Sequence, residues 1–254
     1  MGTKLLNKTV LITGGLSGIG HACAIAAAHE GANIVIADLK TEGMELAMQE
    51  IIMLNPEAIF IPCNVANESE VENVIKETML KFKTLDIALN NARINGDAFR
   101  IGDMPNESWK AVIGVNLNGV FYCMKHELNQ MYAQKCGNII NMASILGKVG
   151  FAMSSHYVAA KHGIIGLTET AALEYAASGI RINAICPGFI LTPLLTNSGI
   201  QDNTEIKQHI INLHPIKRLG TANEIACAFM FLACDENTFM NGASLAVDGG
   251  YLAQ

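Results

Sequence analysis

Apolar residues gather in seven short runs along the chain, at residues 9–12, 33–37, 58–61, 85–89, 138–142, 181–185 and 243–247, each containing Val or Ile. Runs of this length and composition predict buried strands. Between them lie longer stretches whose apolar positions follow helical spacing, at 18–30, 42–54, 68–82, 107–134, 155–177 and 223–233. Several open near a capping residue, and Thr221 and Glu224 stand at the spacing of a capping box. This alternation is the βαβ rhythm of a parallel sheet covered by helices on both faces. One stretch, about 189–214, breaks it by mixing apolar residues with Thr192, Pro193, Asn197, Ser198, Gly199 and Asp202. It is too long for an ordinary connection and reads as a lid or substrate loop holding a short helix.

Composition narrows the picture. A chain of 254 residues, half of them hydrophobic, supports one core, so residues 1–254 are expected to form a single domain. The formal net charge is −6 and the Lys and Arg residues are scattered, which leaves no footprint for nucleic acid. Seven cysteines, an odd number with no Cys-x-x-Cys pair, read as buried free thiols in a reducing compartment. No apolar run approaches the ~18 residues of a membrane span, and no signal peptide is legible, so the cytoplasm is the expected location.

The first strand runs into Thr13-Gly14-Gly15-Leu16-Ser17-Gly18-Ile19-Gly20 and then into an alanine-rich helix. Glycines at 14, 18 and 20 allow a tight turn and let phosphate oxygens approach unpaired helix N–H groups. The spacing is not the Gly-x-Gly-x-x-Gly fingerprint, and a glycine-rich turn without a ligand has the same local pattern. Asp38 ends the second strand 20 residues after Gly18, close to the offset at which a carboxylate meets a ribose 2′-hydroxyl. That carboxylate favours NAD over NADP, although Lys40 stands two residues on and an ordinary turn Asp fits the same position.

Taken in order, Thr13 to Gly20, Asn90-Asn91-Ala92, Asn116, Ser144, Tyr157-Val158-Ala159-Ala160-Lys161, Arg181-Ile182-Asn183, Pro187-Gly188 and Asp248-Gly249-Gly250 resemble the short-chain dehydrogenase/reductase family over residues 8–250. The resemblance implies an α/β fold: a single-domain, Rossmann-type, doubly wound parallel sheet of about seven strands in the order 3-2-1-4-5-6-7. It implies catalysis by Asn116, Ser144, Tyr157 and Lys161. The dinucleotide would be held by Gly14, Ser17, Gly18, Ile19, Gly20, Asp38, Asn64, Val65, Asn91, Ala92, Tyr157, Lys161, Pro187, Gly188, Ile190 and Thr192. Physical chemistry makes sense of the central pair, because Tyr157 and Lys161 lie one helical turn apart on one face and a nearby ammonium favours a phenolate. Ser144 can hold the substrate oxygen, and Asn116 would complete a proton relay through water or serve the helix structurally. Tyr157 then acts as general acid and base between NAD(H) and a secondary alcohol or ketone.

Substrate contacts are expected from Ser144, Leu146, Phe151, Met153, Tyr157, Phe189, Leu194 and Leu195, a largely apolar set suited to an uncharged alcohol or ketone, cyclic ones included. No metal is expected, and the histidines, His156 and His162 among them, read as solvated or packed side chains. Two positions depart from the family pattern. Arg93 replaces the glycine of Asn-Asn-Ala-Gly and could pair with the pyrophosphate, stand in solvent or obstruct the cleft. Asn64 replaces an aspartate and should still offer the adenine amino group an acceptor. The competing functions are an NADP-dependent ketone or 3-oxoacyl-thioester reductase, for which Lys207, Lys217 and Arg218 leave room, and a non-catalytic NAD sensor. A homotetramer is expected from the resemblance.

Overall fold

The computed structural model describes residues 3–40, 43–192 and 204–254. Strands form where the β-branched runs stand: β1 (Thr9–Thr13), β2 (Asn33–Asp38), β3 (Ile59–Pro62), β4 (Ile87–Asn90), β5 (Gly137–Met142), β6 (Ile180–Pro187), β7 (Ile190–Leu191), β8 (Gly220–Thr221) and β9 (Ser244–Val247). Seven of them make one parallel sheet in the order β3-β2-β1-β4-β5-β6-β9. The seventh expected strand is therefore β9. β7 and β8, two residues each, pair with one another beside the sheet and were not anticipated.

The helices are α1 (Gly18–His29), α2 (Met44–Leu54), α3 (Glu68–Phe82), α4 (Asn106–Ile113), α5 (Gly119–Gln134), α6 (Ser155–Tyr175), α7 (Thr204–Asn212) and α8 (Ala222–Ala233). The expected helix at 107–134 is interrupted by a π-helical turn at Gly114–Asn118. α8 begins with the anticipated capping box: Thr221 Oγ1 accepts from the Glu224 N–H at 3.3 Å, and a Glu224 carboxylate oxygen accepts from the Thr221 N–H at 2.8 Å. Two apolar clusters fill the two faces of the sheet, one built on α1 and α8, the other on α3, α5 and α6. Among the described helices none is long and apolar enough to cross a membrane. Five cysteines are buried, whereas Cys136 and Cys227 lie at the surface, contrary to the expectation for all seven.

Strand order reverses between β1 and β4, so the loops leaving their carboxyl ends diverge and open a crevice. Beneath it runs a buried polar chain. Asn90 Nδ2 donates to Glu127 Oε2 (2.9 Å) and to Asn141 Oδ1 (3.0 Å), and Asn141 Nδ2 donates to Thr168 Oγ1 (2.9 Å). Glu127 is fully buried, and burial pushes its carboxyl from the ordinary 4.5 up to about 8, with the Asn90 hydrogen bond opposing. Native protein then keeps a proton that the unfolded chain releases, so this group lowers stability as pH rises from about 4.5 to about 8. Glu127→Gln removes the titration. Its stability relative to the wild type, read by urea unfolding, should improve by about 1 kcal/mol per pH unit between pH 5 and 8. A difference that stays constant across that range would show that Glu127 is not a buried neutral acid.

Candidate active site

The glycine-rich turn is shaped by what it must avoid. Gly14 and Gly18 have φ of +65° and +54°, in the left-handed region that only glycine adopts cheaply. At Gly20 a Cβ would sit 2.1 Å from the Gly14 carbonyl oxygen, so no side chain fits. Ser17 occupies the N-cap of α1 but makes no side-chain cap bond, and the first turn carries no acidic residue. Its N–H groups and the positive end of the helix dipole therefore face the crevice without an internal anion. The crevice, about 190 Å³, is lined by Gly14, Ser17, Gly18, Ile19, Asp38, Asn64, Val65, Asn91, Ala92, Arg93 and Thr192, among others. These features fit the phosphates of a dinucleotide.

Each wall has its own anchoring. Asn91 Nδ2 donates to the carbonyls of Thr13 (3.2 Å) and Gly14 (2.8 Å), while Thr13 Oγ1 accepts from the N–H groups of Asn91 and Ala92. Asn91 thus serves by shaping the turn, and its amide donors are committed there. Asp38 accepts from the Leu16 N–H at 3.1 Å and the Leu39 N–H at 2.8 Å, which aim the carboxylate at the mouth of the turn. Burial raises its pKa and those two bonds oppose the rise. Asn64 Oδ1 accepts from the Ala66 N–H at 3.1 Å, so the amide oxygen expected to serve adenine already holds its own turn. Pro187 is buried at the end of β6, Gly188 follows it, and Ile190 packs into the core.

Lys161 is buried and its Nζ donates to the Met142 carbonyl at 2.6 Å. The same Nζ lies 5.5 Å from the centre of the Tyr157 ring. Burial, reinforced by the Arg93 guanidinium, lowers the Lys161 ammonium to about 7. Ser144, two residues beyond Met142, is buried, and its Oγ accepts from the Leu146 N–H at 3.1 Å. That bond occupies a lone pair and leaves the hydroxyl hydrogen to donate. Asn116 lies in the π-helical turn, where its side chain closes on one residue: Nδ2 donates to the Ile94 carbonyl and Oδ1 accepts from the Ile94 N–H, both at 2.8 Å. The amide thus positions the loop after β4.

Of the expected apolar substrate contacts, Leu146 is buried, and the ring centre of Phe151 lies 5.8 Å from that of Phe189. Phe189 continues to His214 (5.7 Å) and Tyr251 (6.3 Å), neither of which the sequence singled out. His214 Nε2 accepts from the Phe189 N–H at 3.2 Å and its Nδ1 faces the Ile210 carbonyl at 2.9 Å, which defines an Nδ1–H tautomer. Leu194 and Leu195, with the middle of the 189–214 stretch, lie outside the described residues. Among the described residues no three His, Cys, Asp or Glu side chains gather as a metal site.

A family model described as Enoyl-(Acyl carrier protein) reductase matches residues 14–252. The chain is 39% identical over 254 residues to the cyclohexanol dehydrogenase of Acinetobacter sp. (strain SE19), covering 100% of this chain and 98% of that protein. In three dimensions it is similar to the crystal structure of levodione reductase, with a TM-score of 0.94 and 36% identity over 98% of this chain and 99% of that one. It is also similar to the structure of ElxO with NADP bound, with a TM-score of 0.91 and 34% identity over 97% and 99% of the two chains.

His156 is the neighbour of Tyr157 that the sequence left among the packed or solvated histidines. Ser154, before α6, makes no side-chain cap bond; instead His156 Nδ1 accepts from the Tyr157 N–H at 2.8 Å. The ring therefore carries its proton on Nε2, which is buried without a partner among the described residues and leaves no room for a Cβ on Gly96. His156→Asn, whose amide oxygen can accept, should keep most of the turnover. His156→Phe fills the space without accepting and should lose about 10-fold, the cost of roughly one hydrogen bond. Equal turnover in the two variants would show that the ring acts by packing alone.

Proposed function

We propose, since this chain belongs to the short-chain dehydrogenase/reductase family, that it is an NAD(H)-dependent oxidoreductase acting on a secondary alcohol or its ketone. The observation that supports the reading is the placement of Lys161 Nζ, which donates to the Met142 carbonyl two residues before Ser144 and lies 5.5 Å from the centre of the Tyr157 ring. A bound nicotinamide would supply or accept the hydride. In ketone reduction the Tyr157 hydroxyl gives its proton to the substrate oxygen, and in alcohol oxidation it takes that proton back. The Ser144 hydroxyl, with its hydrogen free, donates to the same oxygen and stabilises the charge that develops there. Lys161 stands against the Tyr157 ring, where its remaining N–H donors can reach a ribose hydroxyl. Leu146, Phe151 and Phe189 exclude water and suit an apolar ring, in keeping with the cyclohexanol named for one relative.

The preference for NAD rests on Asp38, because a carboxylate beside the ribose accepts from a 2′-hydroxyl and repels a 2′-phosphate. A relative's structure with NADP bound makes the coenzyme a property of individual members. The reading as an acyl-carrier-protein reductase, favoured by the family model's description, needs free cations near the apolar substrate contacts. Of the three candidates Arg218 is instead in a two-point pair with Glu224, which leaves Lys207 and Lys217. The intact set of Ser144, Tyr157 and Lys161 argues against a non-catalytic sensor. Exposed Leu173, Tyr132, Phe121 and Phe231 on α5, α6 and α8 fit burial in a homotetramer, and unpaired thiols fit a reducing cytoplasm.

Tyr157→Phe should lower turnover of cyclohexanol or another secondary alcohol by about 100-fold or more while NADH still binds; unchanged turnover would remove Tyr157 from the chemistry. Asp38→Ala should narrow the gap between NADH and NADPH affinity by about 10-fold, measured by fluorescence titration. Tighter NADPH than NADH binding by the wild type would overturn the NAD assignment.

A further inference from the structure

Arg93 stands where the family pattern has glycine, and nothing in the chemistry so far uses its charge. The backbone around it is held firmly. Ala92 is hydrogen-bonded to Thr13 and presses on the glycine-rich turn so closely that a Cβ on Gly14 would come within 2.8 Å of the Ala92 Cα. Ile94 is clamped on the other side by Asn116. Arg93 is thereby delivered to the crevice, which it lines together with Gly14, Ser17, Gly18 and Thr192. Its guanidinium is half-buried, and Nη1 donates to Asn95 Oδ1 at 2.9 Å, which fixes its direction and leaves further N–H donors. Among the described residues no carboxylate forms an ion pair with it.

A half-buried guanidinium with no anion of its own is costly to hold beside another cation. The Arg93 charge is felt by Lys161, whose ammonium it helps to lower. The start of α1 and Arg93 are thus positive features that both line the crevice, whereas Asp38, which lines it too, is held by the Leu16 and Leu39 N–H groups. A doubly charged anion lying between the start of α1 and Arg93 would relieve that repulsion.

We propose that Arg93 is a cofactor-binding residue of this chain, its guanidinium pairing with the pyrophosphate of the dinucleotide held by the glycine-rich turn. The assignment rests on the dinucleotide reading above. It replaces the backbone-only approach that glycine permits at this position with a charge-assisted contact, which is stronger than a neutral hydrogen bond and weakens with salt. Arg93→Gln keeps a polar side chain and removes the charge, whereas Arg93→Lys keeps the charge and loses the fork.

The test is fluorescence titration of NADH and NADPH, at low and high ionic strength, into the wild type and both variants, with adenosine as a probe that lacks phosphate. Arg93→Gln should bind NADH about 10-fold more weakly and lose much of the wild type's salt dependence; Arg93→Lys should recover part of both, and adenosine should bind all three alike. If the wild type and Arg93→Gln bind NADH equally, or the variant binds it more tightly, Arg93 does not pair with the pyrophosphate and the dinucleotide reading survives. A variant that changes only the KM for a carboxylated alcohol would assign the guanidinium to substrate instead, which also overturns the proposal. If no form binds NADH or NADPH, the dinucleotide reading itself falls and the Arg93 assignment falls with it.

Discussion

The crevice depends on the clamp between the ends of β1 and β4. Thr13 Oγ1 takes two N–H groups from Asn91 and Ala92, and Asn91 Nδ2 returns to the carbonyls of Thr13 and Gly14. Four contacts hold together two strand ends whose following segments must diverge. Each is worth only about 1 kcal/mol net, but an unpaired buried partner would cost about 1–3 kcal/mol, so the arrangement resists partial opening. The left-handed turn at Gly14, the bare Cα at Gly20 and the path that brings Arg93 to the cleft all follow from that junction.

Beneath the clamp, polar residues are placed where apolar ones would pack more cheaply. Asn90, Asn141, Thr168 and Glu127 form a continuous chain in the core, and Glu127 keeps one carboxylate oxygen without a partner among the described residues. Such a network stabilises less than a filled apolar core, but it orients what it touches. Asn90 is the last residue of β4, directly before Asn91, and Asn141 is next to Met142, whose carbonyl holds Lys161. The proposed phosphate-binding wall and the proposed catalytic lysine are therefore set by neighbouring links of one buried chain. His156 and Asn116 act in the same way one layer out, the first on the Tyr157 backbone and the second on the loop that carries Arg93.

Much of this was legible in the linear pattern. Apolar runs of four or five residues predicted the seven strands of the sheet, because a strand buried on both faces needs consecutive apolar side chains, and the capping-box spacing of Thr221 and Glu224 marked the start of α8, expected at 223 and found at Ala222. The turn at 13–20, Asp38 at its offset, and Tyr157 one helical turn from Lys161 are local spacings, and local spacings survive folding unchanged. The π-helical break at Gly114–Asn118 and the two-residue pair β7–β8 were not legible, since both answer to contacts with distant segments.

The sequence by itself determined the seven strands of the sheet and most of the helices, and it supplied the residue types of the candidate site. Only the tertiary structure decided what each polar side chain was free to do. Asn64, Asn91 and Asn116 have the same amide, yet one holds its own turn, one joins two strands and one clamps a loop, because hydrogen-bond partners up to 78 residues away claim their donors and acceptors. Burial likewise moved Lys161 and Glu127 far from their ordinary ionisation. Desolvation and partner choice are properties of the packed molecule, and no spacing along the chain encodes them.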